Sequence, residues 1–156
     1  MDAALEENQK FDILIVDDVR DNIRLLSDLL VKQGYNVRKA TTGGMALRAI
    51  EALAPDLILL DIKMADMNGY EICSSLKANP STCAIPVIFL SAADELADKV
   101  KAFQVGGIDY IPKPFHLDEV LIKVKTQLTI YQLRQQLEEC ESQLQQALNQ
   151  LRALGQ

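Results

Sequence analysis

The stretch "ILIVDD" at residues 13–18 decides how this chain folds. Four successive residues are apolar, and two aspartates follow at once. A strand with one wet face alternates, whereas a run that is apolar at every position marks a strand covered on both faces. Similar runs recur as "LILL" at 57–60, "PVIFL" at 86–90 and "IDYI" at 108–111. A fifth, "YNVRKA" at 35–40, alternates more and reads as an edge strand.

Helical patterns fill the intervals. Ile23, Leu26, Leu29 and Leu30 share one face, and Gly34 stops that helix. Ala46, Ala49, Ile50 and Leu53 form the next stripe, which ends before Pro55. Ile72, Cys73 and Leu76 mark a third helix, closed by Asn79-Pro80. Leu96, Val100 and Phe103 mark a fourth, closed by Gly106-Gly107. Leu117, Leu121, Val124 and Leu128 mark a fifth. Alternating strands and helices predict an α/β protein with helices on both faces of a doubly wound parallel sheet. The flavodoxin-like order 2-1-3-4-5 is the natural topology.

Composition agrees with one globular domain plus an appendage: 156 residues, 49% hydrophobic and 24% charged. A net charge of -6 argues against a nucleic-acid partner. No apolar stretch has membrane-spanning length and no signal-peptide core is present, so the expected location is cytoplasmic, without membrane insertion. Cys73, Cys83 and Cys140 are widely spaced and read as reduced thiols. His116 is the only histidine, which argues against a histidine-rich metal site.

In such a sheet, ligands bind beyond the carboxyl ends of the strands, at the switch point between strands 1 and 3. Strand 1 delivers Asp17 and Asp18 there, strand 3 Asp61, strand 4 Ser91, and strand 5 Lys113, which sits between Pro112 and Pro114. Any one acidic residue after a strand is ordinarily a turn former or a helix cap. Together on one rim these five are harder to dismiss. Two carboxylates about 5 Å apart repel by roughly 3 kcal/mol at an effective dielectric near 20. Lys113 offsets one charge, and a divalent cation would offset the rest. Hard oxygen ligands without a thiolate or imidazole favour Mg²⁺ over zinc. A carboxylate beside Mg²⁺, with an ammonium and a hydroxyl nearby, is equipped to accept a phosphoryl group.

At these residues the sequence closely resembles the receiver domain of bacterial two-component response regulators. The resemblance lies in "ILIVDD" 13–18, "LILLDIKMADMNGYE" 57–71, "PVIFLSA" 86–92 and "DYIPKPF" 109–115, and it covers about residues 11–128. It implies that Asp61 is the phosphoacceptor. It implies that Asp18 binds Mg²⁺ directly, Asp17 mainly through water, and the backbone carbonyl of Lys63 completes the protein ligands. Ser91 would hydrogen-bond the phosphoryl group and Lys113 would pair with it. Tyr110 matches the family's aromatic switch, although ordinary packing would also place it partly inside. The Lys113–Pro114 bond is expected to be cis. Its donor would be a histidine kinase or a phosphotransfer protein.

The sequence departs from that pattern at Met64-Ala65, where the family often has Met-Pro, so the loop loses a fixed φ. Lys63 stands near the phosphoryl site and could affect phosphate lifetime or simply reach into solvent. His116 reads as a helix-start residue, Cys73 as core and Cys83 as an inert loop thiol. Gly43-Gly44 and Gly106-Gly107 read as breakers and fit no dinucleotide or P-loop pattern.

Beyond Leu128 the chain changes character. It becomes glutamine-rich, and Ile130, Leu133, Leu137, Cys140, Leu144, Ala147, Leu151 and Leu154 alternate spacings of three and four. That is a heptad seam of almost four repeats. It predicts a coiled coil running on from the last helix and a homodimer, the alternative being an amphipathic helix folded back on the domain. The expected organisation is a flexible N-terminus at 1–10, a receiver domain at 11–128 and a coiled-coil extension at 129–156. No helix-turn-helix, kinase or cyclase motif follows, so the output partner is unassigned. The expected role is a phosphorylation switch rather than an enzyme acting on outside substrates. The alternative is an assembly or adaptor module that uses the fold without phosphate.

Overall fold

The computed structural model describes residues 11–92 and 96–155. The flexible N-terminus expected at 1–10 lies outside the described residues. Five parallel strands form one sheet: β1 (Asp12–Val16), β2 (Asn36–Ala40), β3 (Leu57–Asp61), β4 (Val87–Ser91) and β5 (Asp109–Pro112). Their order is β2-β1-β3-β4-β5, as the alternation of runs predicts. Helices α1 (Arg20–Lys32), α2 (Gly43–Ala52), α3 (Gly69–Ala78), α4 (Leu96–Gln104) and α5 (Leu117–Leu154) connect and follow them.

The unbroken apolar runs have a direct explanation. In β1, Leu14 and Val16 pack into a core with Ala46 and Ile50 of α2 and Ile72 and Leu76 of α3. Ile13 and Ile15 point the other way, onto Leu26 and Leu30 of α1 and Val120, Val124 and Leu128 of α5. Successive side chains of a strand face opposite sides, so a sheet covered twice needs apolar residues at every position. The edge strand β2 is half exposed. Its Arg38 pairs with Asp12 at 2.9 Å and donates to the Ala49 and Leu53 carbonyls at 3.0 and 2.6 Å. It thereby satisfies carbonyls at the C-terminus of α2, which a helix leaves without partners. Gly34, at φ 92°, closes α1 while the Tyr35 amide bonds back to the Leu30 carbonyl.

Three of the expected apolar stripes need correction. Leu53 is 61% exposed, because its backbone has already turned extended to end α2. On α4 the buried residue is Ala102, while Val100 and Phe103 face outward. Tyr70, Phe89 and Tyr110 share the core cluster with Ala102, and these rings leave room for only a small side chain on that face. The side chain of Leu96 lies outside the described residues. On α5 the buried line is Val120, Val124 and Leu128, with Leu121 half-buried and Leu117, at the helix start, exposed.

Helix α5 runs unbroken for 38 residues, which at about 1.5 Å per residue spans roughly 57 Å. Among the described residues, no helix is long and apolar enough to cross a membrane.

Candidate functional site

The strand ends place the acidic rim. Asp61 is the last residue of β3 and Ser91 the last of β4, while Asp17 and Lys113 follow β1 and β5 directly. All sit on the carboxyl edge of the sheet, because parallel strands finish on the same side. The Lys113 amide donates to the Ser91 carbonyl at 2.7 Å, which ties the end of β5 to the end of β4. The Lys113–Pro114 bond is cis.

Asp17 is fully buried, yet its carboxylate is well supplied with donors. The Val19 amide donates to Oδ1 at 2.9 Å, and the Asn22 side-chain amide donates to Oδ2 at 3.1 Å. Lys113 Nζ lies 3.1 Å from Asp17 Oδ2 and 3.2 Å from Asp61 Oδ1, bridging the two. Asp18 is exposed, and one carboxylate oxygen from each of Asp17, Asp18 and Asp61 falls within 4.8 Å of the others. One ammonium therefore faces three carboxyl groups. Burial, and after it the Asp17 charge, push the Asp61 carboxyl up to about 6 despite the opposing pull of Lys113. The adjoining pocket of about 170 Å³ is lined by Asp18, Asp61, Lys63, Ser91 and Lys113 among others.

This donor set fits a hard divalent cation. It offers only oxygens, it carries a surplus of negative charge, and its central carboxyl is held above its ordinary range by burial and by the neighbouring Asp17 charge. Mg²⁺ matches such a set because it keeps several waters and takes few protein ligands.

The remaining residues singled out in the sequence sort themselves by environment. Tyr110 is buried, with the Lys99 ammonium 5.5 Å from its ring centroid, and its hydroxyl has no hydrogen-bond partner among the described residues. Lys63 is exposed at the pocket mouth. His116 caps the start of α5 through its backbone only. Cys73 is core: burial pushes its thiol up to about 11, and it contacts the Val105 carbonyl at 3.4 Å. The seam residues Leu133, Leu137, Cys140, Leu144, Ala147, Leu151 and Leu154 are all exposed, as is Ile130. Sequence reasoning missed Asn22, whose only signal is its position in the first turn of the helix that follows Asp17-Asp18.

Comparison with known proteins shows the family. The family model described as the response regulator receiver domain matches residues 13–125. A protein named "Probable cyclic di-GMP phosphodiesterase" from Vibrio cholerae is 39% identical over 125 residues, covering 80% of this chain. Response regulator PleD from Caulobacter vibrioides is 36% identical over 129 residues, covering 79% of this chain. The chain spans 28% of the length of each of these relatives. Among solved structures, a CheY-like response regulator receiver domain protein from Methanospirillum hungatei superposes with a TM-score of 0.74 at 30% identity, covering 80% of this chain and 98% of that one. Four strand-end motifs, one sheet order and one carboxylate rim thus converge, and the chain belongs to the response regulator receiver domain family.

Proposed function

We propose that this chain is the phosphoacceptor of a two-component phosphorelay, taking a phosphoryl group onto Asp61 from a histidine kinase or a phosphotransfer protein. The observation that carries this reading is the meeting of Asp61 with Lys113 Nζ at 3.2 Å inside a rim shared with Asp17 and Asp18. A carboxylate oxygen of Asp61 would form the new P–O bond as the P–N bond of the donor phosphohistidine breaks, the electron pair leaving with the imidazole. Lys113 would follow the charge from carboxylate to phosphoryl oxygen, and Ser91 would donate its hydroxyl to that group. Asp18, Asp61 and the Lys63 carbonyl would hold Mg²⁺ directly, and Asp17 through water. When bound, Mg²⁺ would supply charge neutralisation for the transferring group. The chemistry is self-directed, so the chain itself is not an enzyme for an outside substrate. A pure adaptor would need none of these groups in register, which favours the switch.

The signal would leave through the surface of α4, β5 and α5 and through the tail. Tyr110 would be the moving element, since its buried hydroxyl has no hydrogen-bond partner among the described residues, and such a group gains about 1–3 kcal/mol by reaching one. The organisation we favour is a receiver domain at 11–128 and an extension at 129–156 that pairs as a parallel two-stranded coiled coil through the seam from Ile130 to Leu154. The output domain or protein would be engaged through that helix. Three free cysteines suit a reducing cytoplasmic setting. Incubation with acetyl phosphate and Mg²⁺ should add one phosphoryl mass to the intact protein. Asp61→Asn or a chelator should abolish the addition, and equal labelling of that variant would refute the assignment.

A further inference from the structure

The loop between β3 and α3 carries Lys63 and lacks the proline that the resembled family often has after its methionine. Such a loop would be expected to be loose, yet it is pinned at two points. The Gly69 amide closes it on the Ile62 carbonyl at 2.7 Å, and a Cβ at Gly69 would meet the Asp61 carbonyl oxygen at 2.3 Å, so the loop ends approach as closely as only glycine allows. Its middle is held by Asp66. Oδ1 accepts the Gly43 amide at 2.9 Å, and Oδ2 accepts the Gly44 amide at 3.1 Å.

The N-terminus of α2 makes this clasp specific. The first four amides of a helix have no partner within it. Here the Ala46 amide makes the first helical bond, to the carbonyl of the N-cap Thr42, and the Met45 amide before it goes to Thr42 Oγ1. The Gly43 and Gly44 amides are the pair left over, and Asp66 takes both with a charged acceptor at the positive end of the helix dipole. The same two amides hold the Asp66 carboxyl below its ordinary range, so it stays ionised at neutral pH. Gly43 also lets the loop lie flush, since a Cβ there would sit 2.8 Å from the Met67 Cβ. Gly43 and Gly44 are therefore not mere breakers. They are the donors and the clearance that α2 offers to the loop.

We propose that Asp66 is a positioning residue for the cation site: by clasping the start of α2 it holds the β3–α3 loop, and with it the Lys63 carbonyl, in the place a missing proline would otherwise secure. This inference rests on the Mg²⁺-dependent phosphoacceptor reading. Asp66 contacts neither the rim nor its pocket, so its effect on the cation has to pass through the loop backbone.

The test is an Mg²⁺ titration of the full chain followed by amide chemical shifts. Asp66→Ala should weaken Mg²⁺ binding about tenfold, the lower end for residues that act on a metal through its ligands. Labelling by acetyl phosphate should slow in proportion at limiting Mg²⁺ and recover at saturating Mg²⁺, because Asp61 and Lys113 are untouched. Asp66→Asn, which keeps one carbonyl acceptor for two amides, should lose less, and it carries the test if Asp66→Ala fails to fold. Adding Ala65→Pro to Asp66→Ala should restore most of the affinity by stiffening the loop another way, while Ala65→Pro alone should change little. A folded Asp66→Ala protein that binds Mg²⁺ as the wild type does would overturn the proposal, and so would a loss that Ala65→Pro leaves untouched. Wild-type protein that binds no Mg²⁺ would instead overturn the phosphoacceptor reading on which it stands, a failure visible before any variant is made.

Discussion

Replacing Asp61 by asparagine should make the metal-free protein more stable. The wild-type carboxyl is nearly buried beside fully buried Asp17, and its pKa rises from an ordinary 3.8 to about 6. The folded protein then holds this proton more tightly than the unfolded chain does, so stability falls as pH rises from about 4 to 6 and is level above. The ionised group costs about 3 kcal/mol at pH 7.5 and roughly half of that at pH 5. Asparagine fills the same space and cannot ionise, while Lys113 keeps its contact with Asp17 at 3.1 Å. A relief of about 3 kcal/mol corresponds to roughly 6–12 °C in a domain of this size. Urea unfolding of both proteins in EDTA, followed by circular dichroism at pH 5 and pH 7.5, measures the difference and its pH dependence. Added Mg²⁺ should narrow the gap by binding only the folded wild-type rim. Equal stabilities at pH 7.5, or a gap that does not shrink at pH 5, would refute the claim that the rim is held together against its own charge.

Beryllofluoride with Mg²⁺ should change amide exchange in residues 92–112, where Ser91 and Tyr110 would transmit the switch. Unchanged exchange at saturation would count against that route. Light scattering should report a dimer whose strength is modest, since Cys140 and Ala147 fill two seam positions with small side chains. Leu137→Asp combined with Leu144→Asp should give monomers, mild oxidation should cross-link the parent protein through Cys140, and a monomeric parent at high concentration would leave the coil unsupported.

The sheet was legible because its signal is local: a strand covered on both faces writes itself as a short apolar run, and the residue after the run falls on the carboxyl edge. That rule alone brought Asp17, Asp61, Ser91 and Lys113 to one rim. The phase of α4 was not legible. Whether Ala102 or its larger neighbours face inward depends on the volume left by Tyr70, Phe89 and Tyr110, which come from three other elements. Leu53 misled for a similar reason, since helical spacing continues past the point where Arg38 takes the carbonyls that end α2. Asn22 and Asp66 act through hydrogen bonds that no periodicity records. The Asp66 clasp joins residues 23 apart in sequence, and only the packed loop explains why two glycines start a helix.

The tail and the rim are joined through β5 and α5. At about 100° per residue, the seam residues Leu133, Leu137 and Leu144 lie roughly opposite Val120, Val124 and Leu128, the line by which α5 grips its own sheet, while Ile130 stands at its flank and lines a pocket with Lys77 and Pro86. The helix can therefore hold the domain on one side and offer the other to a partner without a break or a twist, which a helix folded back onto the domain could not do. Ile122, 65% exposed, continues that outer side toward the helix start. Lys123 sits one heptad before Ile130 and is committed inward: its ammonium donates to the Tyr110 carbonyl at 2.6 Å and pairs with Asp109 at 3.4 Å. The backbone of the proposed switch residue is thus bonded to the helix that becomes the tail. Movement of Tyr110 in response to a charge at Asp61 would bear on α5 just above the first seam residue. A helix of 38 residues would carry that change of angle to its far end, so on the proposed reading the element that anchors the core would also sense the rim and present the output surface.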